Sequence, residues 1–435
     1  MSDDFEMDVV ESGELGSLAS SDEDKATTGR ESRRTSGSNT ETELDTRRKK
    51  GSGSPLRSLP NDWAVNKLGF DFEIEYGDEK RPQELDADEG YPLYGANGVI
   101  GRSDEYLFED PVVTVTCRGA TCGNVHLTDS NSWVTNNSLV LLKKSEVNNY
   151  FLANALRYHS VERAITGSAQ QQITSGMLGK MDYPVPPLSE QRKIASVLYT
   201  VDQAIQKTEE IIKREEKIYE GAKRDLLRNG YFEHSERQNT ATGSYPNDWR
   251  VARGDEIFSL KSGEFLDSAK RKEDGKYPVY GGNGIMGYTD RSRVPEGTIV
   301  IGRVGAYCGN VHITVSPAWV TDNAILANEL SSAIKPGFLT HMLDEAGLNR
   351  FAEQSAQPRI SQSTLRNLKI PIPSEEEQKE IVASLRTVMK AIDSEIGLQK
   401  ELRTLKKGLM QDLLTGGVRT ADKAIHVLDE VVDHG

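Results

Sequence analysis

The chain has 435 residues, 36% hydrophobic and 28% charged, with a formal net charge of −14. That length suits two or three domains, and the composition suits a folded protein carrying some unstructured sequence. No run of about 18 apolar residues exists to span a membrane, and the start, MSDDFEMDVVESGEL, lacks the apolar core of a signal peptide, so the sequence reads as cytoplasmic with no membrane partner. Residues 1–59, rich in Ser, Thr, Gly, Asp and Glu, read as a disordered acidic and polar tail. Its run Arg47-Arg48-Lys49-Lys50 fits a solvated linker charge cluster better than a phosphate contact. The tail holds 13 acids and 9 bases, leaving 54 and 44 elsewhere, so it does not explain the acidity. The usual mark of a nucleic-acid binder, excess Lys and Arg, is missing. Any DNA contact must come from local basic patches, or within a complex whose partner adds positive charge.

From residue 60 the chain repeats itself. Pro60-Asn61-Asp62-Trp63 returns as Pro246-Asn247-Asp248-Trp249, a shift of 186 residues, and Tyr91-Pro92-Leu93-Tyr94-Gly95 returns as Tyr277-Pro278-Val279-Tyr280-Gly281. Cys122 to His126 matches Cys308 to His312, and Trp133-Val134-Thr135 matches Trp319-Val320-Thr321. One residue is then gained: Pro184-Val185-Pro186 answers Pro371-Ile372-Pro373, and Asp225-Leu226-Leu227 answers Asp412-Leu413-Leu414. This is a tandem duplication with a period too long for a solenoid. A doubled chain predicts approximate two-fold symmetry, which suits two half-sites.

Each copy opens as a mixed α/β (α+β) domain, over 60–187 and 246–373. Val112 to Thr116 and Gly297 to Ile301 read as strands between Gly and Asn turns; 147–160 and 336–353 read as helices. The Gly-rich blocks Gly95 to Gly101 and Gly281 to Gly287 have no helix behind them and read as turns. Long helices follow at 188–231 and 374–418. Ile194, Leu198, Val201, Ile205, Ile212, Tyr219, Ala222 and Leu226 form a heptad-like stripe, matched by Ile381, Leu385, Val388, Ile392, Leu402, Leu405, Leu409 and Leu413. Asn229-Gly230 and Gly416-Gly417 are stop signals. A helix of about 40 residues is roughly 60 Å long and needs a partner for its stripe; the other copy's helix, packed as an antiparallel coiled coil, is the obvious one. Residues 232–245 read as a polar linker. The tail 419–435 is expected to hold a short helix with Ile425, Leu428 and Val431 on one side.

Catalytic signatures are missing. No phosphate loop, no dinucleotide-type or methyl-donor glycine fingerprint, and no Asn-Pro-Pro-aromatic tetrapeptide occurs. No acid pair has a partner that marks it as catalytic. Cysteines 117, 122 and 308, odd and few, read as buried reduced thiols rather than a disulfide framework. Cys122 with His126 and Cys308 with His312 have a spacing that can bind zinc. Equivalent positions in separate domains sit far apart, however, and a loop histidine beside a buried thiol is the preferred reading; no metal is expected.

The motif order resembles a known family. Trp63-Ala64-Val65, the Tyr91 to Gly101 block, Gln170 to Ile173, and Glu190-Gln191 with Ile194 opening a long helix recur as patterns in the second copy, and Arg118-Gly119-Ala120 ahead of Gly123-Asn124-Val125 is answered by Arg303-Val304-Gly305 ahead of Gly309-Asn310-Val311. The doubled set, over about residues 60–418, is similar to the specificity subunit of type I restriction-modification systems. The segment Gln411 to Arg419 looks like the family's ending of the second helix. The resemblance implies two target recognition domains that each read half of a bipartite double-stranded DNA target, with the helices as spacer. It implies no catalysis in this chain. Two methylation subunits carrying S-adenosylmethionine would modify an adenine in each half-site, and restriction or translocase subunits using ATP and Mg would join them. Other readings are a specificity module of a type II-like or phage-defence adenine methylation system, a stand-alone DNA-binding regulator, and a coiled-coil interaction protein.

Base-edge readout needs matched donors and acceptors: Arg suits guanine, and Gln or Asn suits adenine. Arg118 and Arg303 flank loop glycines without aligning, since Arg118 falls opposite Val304; each reaches DNA or simply bridges a local carboxylate. Asn124, His126, Asn310 and His312 recur, which favours holding a loop over telling two half-sites apart. Trp133, Trp319, Tyr91, Tyr94, Tyr277 and Tyr280 read as core aromatics rather than stacking platforms. The informative contrast is Gln170-Gln171-Gln172-Ile173 against Gln357-Pro358-Arg359-Ile360. The frame is shared while the interior differs, which places Gln171, Gln172 and Arg359 near bases unless the change is surface drift.

Overall fold

A computed structural model describes residues 59–79, 84–85, 89–167, 171–240, 243–353 and 357–432. The expectations for the N-terminal tail lie outside them. The described residues divide into two compact units, one built from 59–210 with 396–432 and the other from 211–395.

In the first unit the chain runs β1 (Ala64–Lys67), α1 (Leu68–Asp71), β2 (Phe72–Tyr76), β3 (Glu84–Leu85), β4 (Tyr91–Gly95), β5 (Gly98–Ser103), β6 (Val113–Thr116), β7 (Val125–Leu127), β8 (Trp133–Val134), β9 (Ser138–Lys143), α2 (Asn149–His159), α3 (Ser175–Leu178), β10 (Asp182–Val185) and into the long α4 (Leu188–Asn229). An antiparallel sheet has the order β2-β9-β6-β7; a second has the order β3-β5-β4-β8, with β4 and β8 parallel; β1 pairs with β10. The pleat sorts side chains by alternation. Leu139 and Leu141 of β9 pack with Phe72, Val113, Val115, Leu152 and Ile173 on one face, while Val140 joins Tyr94 and Val134 on the other. Both faces are covered, so β9 is apolar along most of its length.

The second unit repeats this plan. After the end of α4 come β11 (Arg237–Thr240), β12 (Gly243–Pro246), β13 (Arg250–Arg253), α5 (Gly254–Ile257), β14 (Ser259–Ser262), β15 (Tyr277–Gly281), β16 (Gly284–Thr289), β17 (Ile299–Gly302), β18 (Val311–Ile313), β19 (Trp319–Val320), β20 (Ala324–Asn328), α6 (Pro336–Glu345), α7 (Gln362–Asn367), β21 (Lys369–Ile372) and α8 (Glu375–Leu414). The sheets are β14-β20-β17-β18 and β16-β15-β19, with β13 paired to β21. Residues 232–245, polar in sequence, contribute to a hairpin in which β11 pairs with β12.

The long helices end where the stop signals stand, with Gly230 at φ 90° and Gly416 at φ 70°, conformations that glycine adopts without steric cost. In the first unit Ile194 and Leu198, near the start of α4, share a core with Leu413 and Leu414 at the end of α8. Further along α4, Asp202 pairs with Lys406 and Glu209 with Arg403, so one helix number rises as the other falls. The second unit shows the converse: Leu227 at the end of α4 packs with Ile381 and Leu385 near the start of α8. The two helices are therefore packed antiparallel within each unit.

A buried polar clasp fixes each helix start. The Trp63 indole N–H donates to Glu190 Oε2 at 3.0 Å, and the Trp249 indole N–H donates to Glu377 Oε2 at 3.0 Å. The adjacent amides bind backbone: Gln191 accepts from the Asn148 N–H and donates to the Pro186 carbonyl, while Gln378 accepts from the Lys335 N–H and donates to the Pro373 carbonyl. The cation completing the clasp differs. Arg419 bonds both Glu190 and Asp62. In the second unit His234 lies 2.9 Å from Asp248 and 2.8 Å from Glu377. Burial opposes the charge on Glu190, but Arg419, the indole and the Thr420 amide outweigh it and hold the carboxyl below its ordinary range. Burial likewise opposes charge on His234, and hydrogen bonds and attraction from Glu377 and Asp248 outweigh it and raise the ring's pKa.

Three expectations need correction. The second copy's helix stops at Glu345, because Gly347 turns left-handed at φ 58° and a 3₁₀ turn follows over Leu348–Phe351. The C-terminal tail forms its short helix as α9 (Asp429–Val432), which leaves Ile425 and Leu428 outside it; before it, Lys193 Nζ gathers the carbonyls of Thr420, Ala421 and Lys423 around a turn closed by the Lys423 N–H and the Thr420 carbonyl. Tyr91 is a surface residue, 36% exposed, edge-on to Tyr106, and Tyr277 is only partly buried; Tyr94, Tyr280, Trp133 and Trp319 are core.

Glu377→Ala strands the buried Trp249 indole N–H, and chemical denaturation should show a loss of about 2–3 kcal/mol. Because the His234 pKa is raised on folding, its stabilising contribution is complete below the unfolded value of about 6.5 and is lost as pH rises through the folded value. The stability advantage of the wild type over His234→Gln should therefore be larger at pH 6 than at pH 9 in paired unfolding experiments. The Arg419 clasp should show no such change, since a guanidinium stays charged throughout.

Candidate nucleic-acid interface

In the first unit β6 and β7 are joined by a tight loop closed by Thr116 N–H to the Asn124 carbonyl and Gly123 N–H to the Thr116 carbonyl, both at 2.8 Å. Gly119, at φ 86°, turns the tip. The Gln-x-x-Ile segment lies beside this loop. The Ile173 N–H donates to the Cys117 carbonyl at 3.0 Å, Gln172 and Thr166 exchange backbone bonds at 2.9 Å, and Gln172 bridges Arg118. Ile173 is buried and plugs the core beneath.

The second unit builds the same device. Gly302 N–H donates to the Asn310 carbonyl and Gly309 N–H to the Gly302 carbonyl, both at 2.8 Å. Ile360 N–H donates to the Arg303 carbonyl at 3.0 Å, and Arg359 bridges Val304 and Glu353. Arg359 thus occupies the position of Gln172, and Ile360 that of Ile173. Backbone bonds and one buried isoleucine set the loop, which leaves the intervening side chains outside the folding requirement.

Arg118, Gln171, Gln172, Gln357 and Arg359 are exposed, and Arg303 is half-buried; Gln170 lies outside the described residues. The two loop arginines reach corresponding strand-end positions, although they start from different places. The Arg118 guanidinium sits 5.8 Å from the Tyr76 ring centroid, and Arg303 Nη1 is 3.4 Å from Ser262 Oγ. Among the described residues no carboxylate is paired with Arg118, Arg303 or Arg359.

The recurring residues behave differently. Asn124 and Asn310 are exposed, and their backbone groups close the loops. His126 and His312 are half-buried against the turns at Gly98 and Gly284, both left-handed. Burial, then the Arg157 charge, lowers the His126 pKa; burial lowers that of His312 against a bond to Gly282. A ring kept neutral in a loop's flank is suited to bracing it. Cys117, Cys122 and Cys308 are buried thiols whose pKa values burial pushes up.

The sequence reading missed residues that join this surface. Gln362 Nε2 lies 3.4 Å from Ser262 Oγ, and Arg366 Nη2 donates to Gln362 Oε1 at 3.2 Å, so Arg303, Ser262, Gln362 and Arg366 form one network. The 187-residue register places Ser175 and Gly179 opposite Gln362 and Arg366, and the earlier register places Tyr76 opposite Ser262. Comparing the copies position by position through the flanking helix α7 would have found them.

Ile173→Ala and Ile360→Ala should each cost about 2–5 kcal/mol of stability. Gln172→Ala and Arg359→Ala should stay within about 0.5 kcal/mol of wild type. Thermal and chemical unfolding of the four variants checks the contrast.

The family model described as type I restriction modification DNA specificity domain matches this chain twice, at residues 60–215 and 246–404. The chain is 24% identical over 404 residues to the type I restriction enzyme MjaVIII specificity subunit of Methanocaldococcus jannaschii, covering 83% of this chain and 94% of that protein. It is 35% identical over 134 residues to the EcoprrI specificity subunit of Escherichia coli, covering 30% and 33%. The fold resembles the crystal structure of a type I restriction-modification S subunit from M. genitalium, with a TM-score of 0.62, 20% identity and coverage of 83% and 99%.

Proposed function

Because the chain belongs to the type I restriction-modification DNA specificity family, we propose that it reads a bipartite double-stranded DNA target, one half with each domain, and positions methylation subunits on it. The observation that carries this reading is the doubled device: one fold built twice, each with an exposed polar loop on a shared backbone frame and each clasped to a long helix. A frame that stays while its exposed side chains change is what two readers of different sequences require. The helices α4 and α8 act as the spacer between half-sites.

The chain contributes no chemical step. Two methylation subunits, which bind S-adenosylmethionine, modify an adenine in each half-site, and restriction or translocase subunits use ATP and Mg. The net charge of −14 fits a reader that grips DNA inside such an assembly, in the cytoplasm where the DNA lies, better than one that binds alone. A chain solved in work on complex assembly and conformational transition of the type I R-M system, 15% identical with a TM-score of 0.52, shares the fold.

Mapping methylated adenines in the source genome with and without this gene tests the proposal. A split motif that disappears on deletion is the expected result; unchanged methylation overturns it. Co-purification with methylation subunits alone would favour a stand-alone adenine modification system. Adding one heptad to each helix should lengthen the spacing between half-sites by about 10.5 Å, or about three base-pair steps, in the mapped motif.

A further inference from the structure

The two loop surfaces carry different chemistry at matched positions. The first presents Tyr76, Arg118, Gln171, Gln172 and Ser175, with a single arginine stacked beside an aromatic ring. The second presents Ser262, Arg303, Gln362 and Arg366 in one hydrogen-bonded network, with the exposed Arg359 on the strand bridged to Val304, next to Arg303. Aligned positions make the change explicit: Gln172 becomes Arg359, Gly179 becomes Arg366, and the buried Cys117 becomes Arg303. Lys261 is paired with Glu329 at 3.5 Å, and the Asp255 carboxyl, held below its ordinary range by its hydrogen bond from Arg253, also feels the Arg366 charge, which helps to hold it there. Arg366 is oriented by Gln362, and Gln362 and Arg303 both reach Ser262, so two of the forks are held in place before any ligand arrives.

A guanidinium fork matches the O6 and N7 acceptors of guanine, whereas a glutamine amide matches the N6 donor and N7 acceptor of adenine. We infer that the second domain reads a half-site richer in guanine through Arg303, Arg359 and Arg366, while the first reads a half-site poorer in guanine, with Gln171 and Gln172 on adenine and Arg118 as its one guanine fork. This rests on the proposed role in reading a split target. It adds which bases each domain selects, and it assigns Arg366 and Gln362 as specificity-determining.

The test uses the complete complex with its methylation subunits. The wild-type motif is mapped by base-resolution methylation sequencing, and Gln172→Ala and Arg359→Gln identify the half-site read by each domain. The second domain's half-site should hold more G·C pairs. Arg359→Gln and Arg366→Ala should each relax or change one position within it, losing roughly 5- to 150-fold discrimination there, with the other half-site unchanged. Arg359→Lys keeps the charge and loses the fork, so it should fail to restore the lost discrimination. If it does restore wild-type behaviour, or if affinity falls evenly over all sequences, Arg359 binds phosphate and the inference falls. It falls equally if the half-site is no richer in guanine, or if neither arginine change alters the motif while the complex still methylates a split target. Absence of any split target would instead sink the parent reading. Unfolding curves of each variant guard against misfolding, and a variant that unfolds early is replaced by its lysine counterpart.

Discussion

A carboxylate buried against an indole organises each unit. Glu190 and Glu377 stand at the starts of the long helices, where a charge out of water is tolerated only with full hydrogen bonding. Trp63 and Trp249 supply one donor, and a cation from a neighbouring segment together with backbone amides (Thr420 for Glu190, Tyr231 and Phe232 for Glu377) supplies the rest. The neighbouring glutamines tie the same helix turn to backbone groups of the domain. Helix and sheet are thus joined by directional bonds rather than by apolar contact alone, and directional bonds fix an angle as well as a distance.

That constraint gives the helix pair its use. An amphipathic helix of 42 residues, α4, and one of 40, α8, bury their stripes against each other and against the domain bodies. Without the clasp each could roll about its axis at small cost, because a hydrophobic stripe is forgiving of rotation. With it, the direction in which a domain's loop faces is tied to the helix direction. Leu405 remains 51% exposed within the stripe, so apolar burial is incomplete along it, and the ion pairs Arg403–Glu209 and Lys406–Asp202 supplement the packing.

Much of this was legible in the sequence. The duplication announced two like domains, the heptad spacing announced the helices, and the glycines at 230 and 416 announced their ends, because periodicity and left-handed turns leave local signatures. The Glu-Gln pair was visible as a motif, but the indoles that bond its glutamates lie more than 120 residues away and no local rule links Trp249 to Glu377. The Arg359 and Gln172 loop stands out as a candidate because the copies differ there inside a shared frame. Arg366 and Gln362 were not, because they sit on a short helix whose sequence looks like ordinary surface until its contact with Ser262 is known. The course of the tail after residue 419 was hidden for a related reason: the turn that precedes its short helix is held by Lys193, a residue far earlier in the chain.

The buried isoleucine under each loop has a consequence for how such proteins diversify. Ile173 and Ile360 carry the conformational demand of their segments, so Gln172 and Arg359 beside them are released from it. A single codon change at these exposed places alters the surface offered to a ligand while leaving the fold's free energy nearly untouched. If these places read the target as proposed, a lineage can drift through many addresses without crossing an unstable intermediate.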